Sequence, residues 1–495
     1  MNTLTTLLMA AVLALASSMS AVQPVDVTRL QYPKLHELQV PKVERIRLAN
    51  GLRLYLAEDH ELPTFSVAVR INCGSYLEPA DKIGLVSILG QTLRTGGTTT
   101  RTGDELDELL EGIGASVETY GGTTTCGASV RTLSEYAELG LEVLADVLRN
   151  PVFNQDKIEL ARVSLRSGIS RRNDQPRQMA DREFAKLIFG AESPYARQSE
   201  FATIDAVTRD DLVSFHQTWF RPENMQFAVW GDFDRKSLVK EIEKLFGDWK
   251  SGTAKVPPPP KVDYRYRQEV FLIDRPDLNQ SQILLGHIGG LMTDPDYPDR
   301  IVMNNVMGGG FGSRMVDVVR SREGLAYTAN SAYSADIDRP GIFRNYVATK
   351  SQSTGKAILE MIKVIKSMQT EPPTDEELSQ ARNIYLNSFV FLFDSPSEVV
   401  NRIMEYDLYG LPDDFLQKVR DRVELVSASD VVTAARKNLR PDELEILVVG
   451  NSSDFDIPLD SLGLGPIQRI DITIPGKESK PETAPQPGKV GKNRP

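Results

Sequence analysis

Hydrophobic and polar positions recur along this chain with two periods. From Thr64 to Ile71 the run TFSVAVRI alternates apolar and polar residues, the pattern of a half-buried strand. From Gly84 to Gly97 the spacing becomes helical. Leu85, Val86, Ile88, Leu89 and Leu93 form one face, and Ser87, Gly90, Gln91 and Arg94 form the opposite stripe. Gly90 costs about 1 kcal/mol relative to alanine in a helix interior, so its presence on that stripe needs a reason. Thr102 and Glu105 have the spacing of a capping box, and behind them Leu106, Leu109, Leu110 and Ile113 share a face. Ser134 to Asn150 is a further amphipathic helix, stopping before Pro151. Strands and helices interleave as in an α+β fold, with helices packed on one face of a mainly antiparallel sheet.

The pattern repeats. Asp211, Arg221, Pro222 and Gly231 match Asp430, Arg440, Pro441 and Gly450 at a constant offset of 219. Ala161, Arg162, Asp174 and Pro176 match Ala381, Arg382, Asp394 and Pro396 at an offset of 220. Amphipathic helices share periodicity by composition alone, but not a constant offset, so the chain is read as a duplication. Four consecutive prolines within 252–262 mark a stiff, extended linker between the halves. The expected organisation is a lead segment 22–45, a first domain 46–251, a second domain 263–471 and a disordered tail 472–495.

Length agrees: 495 residues exceed one ordinary core. A net charge of −11 argues against nucleic-acid binding and shows no basic patch for anionic lipid. Residues 1–21, an apolar run followed by small residues, resemble a signal peptide, although Lys and Arg are missing from its start. The expectation is a protein exported to the periplasm or the outside, with no membrane span once that segment is removed. Cys73 and Cys126 are either one disulfide or two buried thiols. The four histidines, His36, His60, His216 and His287, stand far apart, and none has a second histidine or a cysteine at ligand spacing.

The stretch from Asn50 to Thr98, the duplicated halves, the RNPVFNQDKIELAR segment and the GGGFGSRMVDVVRSREGLAY segment together resemble the M16 (pitrilysin or insulinase-like) metallopeptidases, from about Glu44 to Asp471. The resemblance implies two homologous M16-type domains forming a clam-like half-chamber. In active members the helix matching Gly84–Gly97 carries His-x-x-Glu-His, two zinc ligands with a water-activating glutamate, and a further glutamate completes the site. The matching positions here are Ser87, Gly90, Gln91 and Ser167, so all four are vacated and no metal is expected in this chain.

The second half of active members supplies an arginine and a tyrosine seven residues apart. The matching pair here is Arg320 and Tyr327. The resemblance gives them catalytic roles: an arginine to hold a peptide carbonyl, and a tyrosine hydroxyl to donate to an oxyanion. From spacing alone the better reading is a helix-ending surface ion pair at Arg320 and a packed aromatic at a strand start at Tyr327. Arg322 is a lesser candidate for substrate contact. The run Gly308–Gly312 lacks the Lys-Ser/Thr of a phosphate loop and reads as a glycine-rich turn entering a helix.

Three functions follow from the resemblance. One is the zinc-less subunit of a heterodimeric peptidase, completing in trans the site of a zinc-bearing sibling that carries His-x-x-Glu-His and cleaves peptides or unfolded segments. The second is an inactive peptide-binding or structural subunit of a larger complex. The third, an enzyme acting alone with unusual ligands, asks Ser87, Gln91 and Ser167 to replace His and Glu, and ranks last.

Overall fold

The structure, a computed structural model, describes residues 42–476. The leader-like stretch 1–21, His36 and most of the expected tail lie outside them.

In the first half, strands β1 (Glu44–Arg47), β2 (Arg53–Glu58) and β3 (Thr64–Ile71) lead into helices α1 (Leu85–Thr95) and α2 (Gly103–Gly112). Strands β4 (Ser116–Gly121) and β5 (Cys126–Leu133) follow. Then come helices α3 (Ala137–Arg149), α4 (Gln155–Arg171), α5 (Pro176–Phe189), α6 (Phe201–Asp205) and α7 (Arg209–Trp219), strand β6 (Met225–Gly231) and helix α8 (Arg235–Phe246). The second half opens with β7 (Glu269–Asp274), β8 (Gln280–Ile288), the short β9 (Gly290–Leu291) and α9 (Tyr297–Met307). A π-helical turn, Val316–Arg322, leads to β10 (Ala326–Tyr333), the short β11 (Ala335–Asp336) and β12 (Ile342–Lys350). Helices α10 (Thr354–Ser367), α11 (Asp375–Ser388), α12 (Pro396–Tyr409), α13 (Phe415–Leu425) and α14 (Ala428–Asn438) and strands β13 (Glu445–Gly450) and β14 (Ile467–Arg469) complete it.

The two six-stranded sheets carry the duplication. Their orders, β1-β2-β6-β3-β5-β4 and β14-β7-β13-β8-β12-β10, match strand for strand, and both are mainly antiparallel with parallel β2–β6 and β7–β13 pairs. The outermost strands differ: β1 runs antiparallel to β2, whereas β14 runs parallel to β7. The capping box at Thr102 forms as its sequence predicts, and the structure adds boxes at Thr208 and Ser427, the matching starts of α7 and α14.

Each sheet has the expected helical layer on one face. Leu54, Leu56, Val67, Val69, Phe227 and Val229 face the helices of the first half, and Val270, Leu272, Ile283, Leu285, Ile446 and Val448 face those of the second. The opposite faces are covered by an exchange. Helix α5, in the first half, lays Met179, Ala180, Phe184 and Ile188 on Phe271, Ile273, Leu284, Leu447 and Val449 of the second sheet. Helix α12 lays Val400 and Met404 on Tyr55, Ala57 and Ala228 of the first. Central strands such as EILVVG are therefore apolar at successive positions, because both of their faces are covered. Polar ties reinforce the exchange: Arg344 pairs with Asp181 at 2.6 Å, the Arg177 guanidinium lies 3.2 Å from the Tyr346 ring centroid, and Gln226 donates to the Met404 carbonyl at 3.0 Å.

Two expected boundaries shift. The first sheet starts at Glu44, inside the anticipated lead segment, because Glu44–Arg47 pair with Arg53–Leu56. The chain beyond 471 is still packed: Asn173 donates to the Ile472 carbonyl at 2.7 Å, and Ile474 is buried against Ile169 and Ile204. The proline segment also lies along the first half, where Tyr76 and Tyr195 donate to the Pro257 and Pro260 carbonyls at 2.8 and 2.7 Å.

Candidate functional site

Helix α1 carries the odd stripe and is held at its N-terminus. Gly84 precedes it with a φ of +111°, a left-handed conformation that glycine adopts without strain. The Glu78 carboxylate replaces a side-chain N-cap, accepting from the Val86 N–H at 2.6 Å and the Gly84 N–H at 3.3 Å. Burial pushes its carboxyl up to about 7, against the downward pull of those amides and of Arg197.

Gly90 is where the helix meets the edge strand β4. A Cβ there would stand 2.3 Å from the Gly121 nitrogen and 2.7 Å from the Tyr120 carbonyl carbon. Facing it, a Cβ on Gly121 would stand 2.2 Å from the Val86 oxygen. Thr119 Oγ1 closes the contact by donating to the Gly90 carbonyl at 2.7 Å. The stripe is thus a helix-to-strand backbone contact at its middle position, and the glycine there is a packing requirement. Ser87 is half-buried and Gln91 exposed one turn apart on this face; Ser167 is half-buried on α4, which packs beside α1.

This donor set does not fit zinc. It offers no imidazole and no carboxylate, and a glutamate at position 90 would collide with the backbone of β4. The described histidines are engaged elsewhere. His216 donates from Nε2 to the Leu148 carbonyl at 2.9 Å. His287 donates from Nδ1 to the Ile288 carbonyl at 2.6 Å and accepts the Arg440 N–H at Nε2. Burial pushes both down to about 4, so both are neutral. His60 is exposed and pairs with Asp232 at 2.7 Å. Among the described residues one carboxylate cluster has metal-like spacing, Glu138, Glu142 and Glu241, and Lys244 already sits against it, 2.9 Å from Glu241.

The second group is brought together. Arg320 sits in the π-helical turn, where the Glu323 N–H reaches back five residues to the Val318 carbonyl at 3.1 Å. Such turns are uncommon and recur at functional sites. Tyr327 is the extra residue of a β-bulge: Ala326 pairs with Thr349 and Thr328 with Ala348, leaving Tyr327 unpaired between them. A bulge re-aims a side chain, and Tyr327 is 84% exposed. The Arg320 guanidinium lies 5.4 Å from the Tyr327 ring centroid and 5.7 Å from that of Phe311, itself 86% exposed.

Gly308–Gly310, Val316 and Thr328–Asn330 complete a cavity of about 370 Å³ around these three side chains. The glycine run is a tight packing element: a Cβ on Gly308 would stand 2.5 Å from the Ser331 nitrogen, and the Ser331 N–H donates to the Gly308 carbonyl at 3.0 Å. Arg322 pairs with Asp317 inside the turn at 2.5 Å and does not join Arg320. Sequence reasoning missed Phe311 as a member of the group. Its signal was a lone aromatic flanked by glycines, which no core pattern explains.

Comparison with known proteins agrees with this architecture. Residues 53–191 match the family model for insulinase (peptidase family M16), and residues 206–385 match that for the peptidase M16 inactive domain. The chain belongs to the M16 peptidase family. It is 23% identical over 398 residues to an uncharacterized zinc protease of Rickettsia felis, covering 79% of this chain and 93% of that one. It is also 23% identical over 399 residues to a non-peptidase homolog, YmxG, of Helicobacter pylori, covering 80% and 90%. A crystal structure of a peptidase M16 inactive domain from Pseudomonas fluorescens superposes with a TM-score of 0.72 at 24% identity, covering 83% of this chain and 98% of that one. These findings support an inactive M16-like protein.

Proposed function

We propose that this chain is the non-zinc-binding subunit of a two-chain M16 metalloendopeptidase, contributing Arg320 and Tyr327 in trans to a sibling that carries His-x-x-Glu-His and the zinc. The observation that carries this reading is the contrast between its two halves. In the first, Gly90 packs a backbone contact where a catalytic glutamate stands in active relatives. In the second, Arg320 and Tyr327 are held together and presented outward by a π-helical turn and a bulge. Tyr327 Oη would donate to the oxyanion developing on a scissile carbonyl, and the Arg320 guanidinium would hold a neighbouring peptide oxygen. The substrate is a peptide or unfolded segment. The leader-like residues 1–21 favour an exported, periplasmic or extracellular complex.

A second reading, an inactive peptide-binding or structural subunit, is favoured by the same contact at Gly90. Purification from native cells, followed by native mass spectrometry with metal analysis, separates the two. The in-trans reading expects a heterodimer of about twice the chain mass with one zinc per pair. A metal-free monomer or homodimer supports the second reading.

A further inference from the structure

Cys73 and Cys126 are joined by the fold but not by any role in the site. Cys73 lies two residues past the end of β3, and its N–H donates to the Ile71 carbonyl at 2.8 Å. Ile71 is the register partner of Cys126, the first residue of β5. The segment after Cys73 lies along the β4–β5 hairpin: the Ser75 and Tyr76 N–H groups donate to the Gly122 and Thr123 carbonyls at 2.9 and 3.1 Å. Gly74 lets it approach, since a Cβ there would stand 2.3 Å from the Thr123 oxygen. Both cysteines are free thiols in this structure, fully buried in the core of the first half. We propose that Cys73 and Cys126 are a disulfide site, which oxidises within one chain and staples the end of β3 to the hairpin that carries the edge strand β4.

The chemistry is thiol–disulfide exchange. One thiolate attacks a sulfur of a small-molecule or protein disulfide, expelling one thiolate of that oxidant. The second cysteine attacks the mixed disulfide, forms the Cys73–Cys126 bond and expels the other. The two cysteines are oxidised by two electrons, the oxidant is reduced to a dithiol or two thiols, and the two thiol protons pass to it. The register of Cys126 with Ile71, two residues before Cys73, sets the two side chains at neighbouring positions, and the bond that joins them is about 2 Å long. Burial pushes the Cys73 thiol well above its ordinary value, so the folded, reduced protein exposes no thiolate there. The bond therefore forms while the hairpin is still open, during folding, and the folded protein then protects it.

The test uses the full chain, unfolded in urea with reductant and refolded in buffer containing reduced and oxidised glutathione. The expected product is native by circular dichroism, 2 mass units lighter than the reduced chain, and gives one non-reduced peptide linking Cys73 to Cys126. Its thermal midpoint exceeds that of the reduced form by a few degrees. The doubly substituted Cys73→Ser/Cys126→Ser protein, refolded in the same buffer, shows neither the mass loss nor the gap between oxidised and reduced midpoints. Two results overturn the proposal: a native refolded chain in which both thiols are alkylated after denaturation, or a disulfide found only between chains or in non-native material. If the double variant does not fold, refolded wild-type protein still decides the question through its mass and peptide map.

Discussion

At Gly90 the position matched to a catalytic glutamate is filled by the fold itself. Gly90→Glu would drive a side chain into the Tyr120–Gly121 backbone, and we expect a loss of several kcal/mol, read as a lower urea midpoint. The triple change Ser87→His, Gly90→Glu, Gln91→His is expected to bind zinc no more tightly than wild type in a competition titration, because the helix cannot back away from β4 without breaking the contact at Thr119. Phe311→Ala should behave oppositely. So exposed a side chain leaves stability within about 0.5 kcal/mol, while peptide binding to the assembled complex weakens several-fold, measured as a rise in KM at unchanged kcat. The positions of Arg320 and Tyr327 were legible from a spacing of seven and a family resemblance. The resemblance also located the stripe at Ser87, Gly90 and Gln91. Its packing role was not legible, because one chain's sequence does not say which backbone crosses a glycine.

Elements show the same division. Helix α1 was legible from its apolar face, but its N-terminal partner was not, since Glu78 lies outside the helix and reaches it only through the turn at Ala80–Lys82. That partner gives the helix a pH dependence. The folded Glu78 carboxyl titrates near 7, above its ordinary 4.5, so the folded protein keeps this proton where the unfolded chain has lost it. Its contribution is complete below about pH 4.5 and is lost as pH rises through 7. Relative to Glu78→Gln, wild type should lose on the order of 1–3 kcal/mol between pH 5 and pH 8 in paired urea titrations. An unchanged difference between the two proteins would refute this. The π-helical turn and the bulge at Tyr327 left no mark in periodicity, because each departs from the regular spacing by which elements are read.

Across the molecule the duplication was legible in constant offsets, and the sheets repeat it strand by strand. The exchange of α5 and α12 was not, because an amphipathic pattern shows that a helix has an apolar face without naming the sheet that receives it. Its consequence is mechanical: the proline segment is not what holds the halves together. Cleavage within 252–262 should leave two fragments that co-elute in gel filtration and unfold in one transition. Phe184→Ala, which empties a fully buried site on the opposite half's sheet, should cost about 3–5 kcal/mol and favour separation of the nicked halves.

The central claim is that a chain without its own metal site supplies two side chains to a partner's. The most direct measurement is peptide cleavage by the complex purified from native cells, wild type against Tyr327→Phe, with zinc content and assembly matched. The account expects the variant complex to assemble normally, hold the same zinc and cleave about 10²–10³-fold more slowly. Equal rates from the two complexes would contradict it.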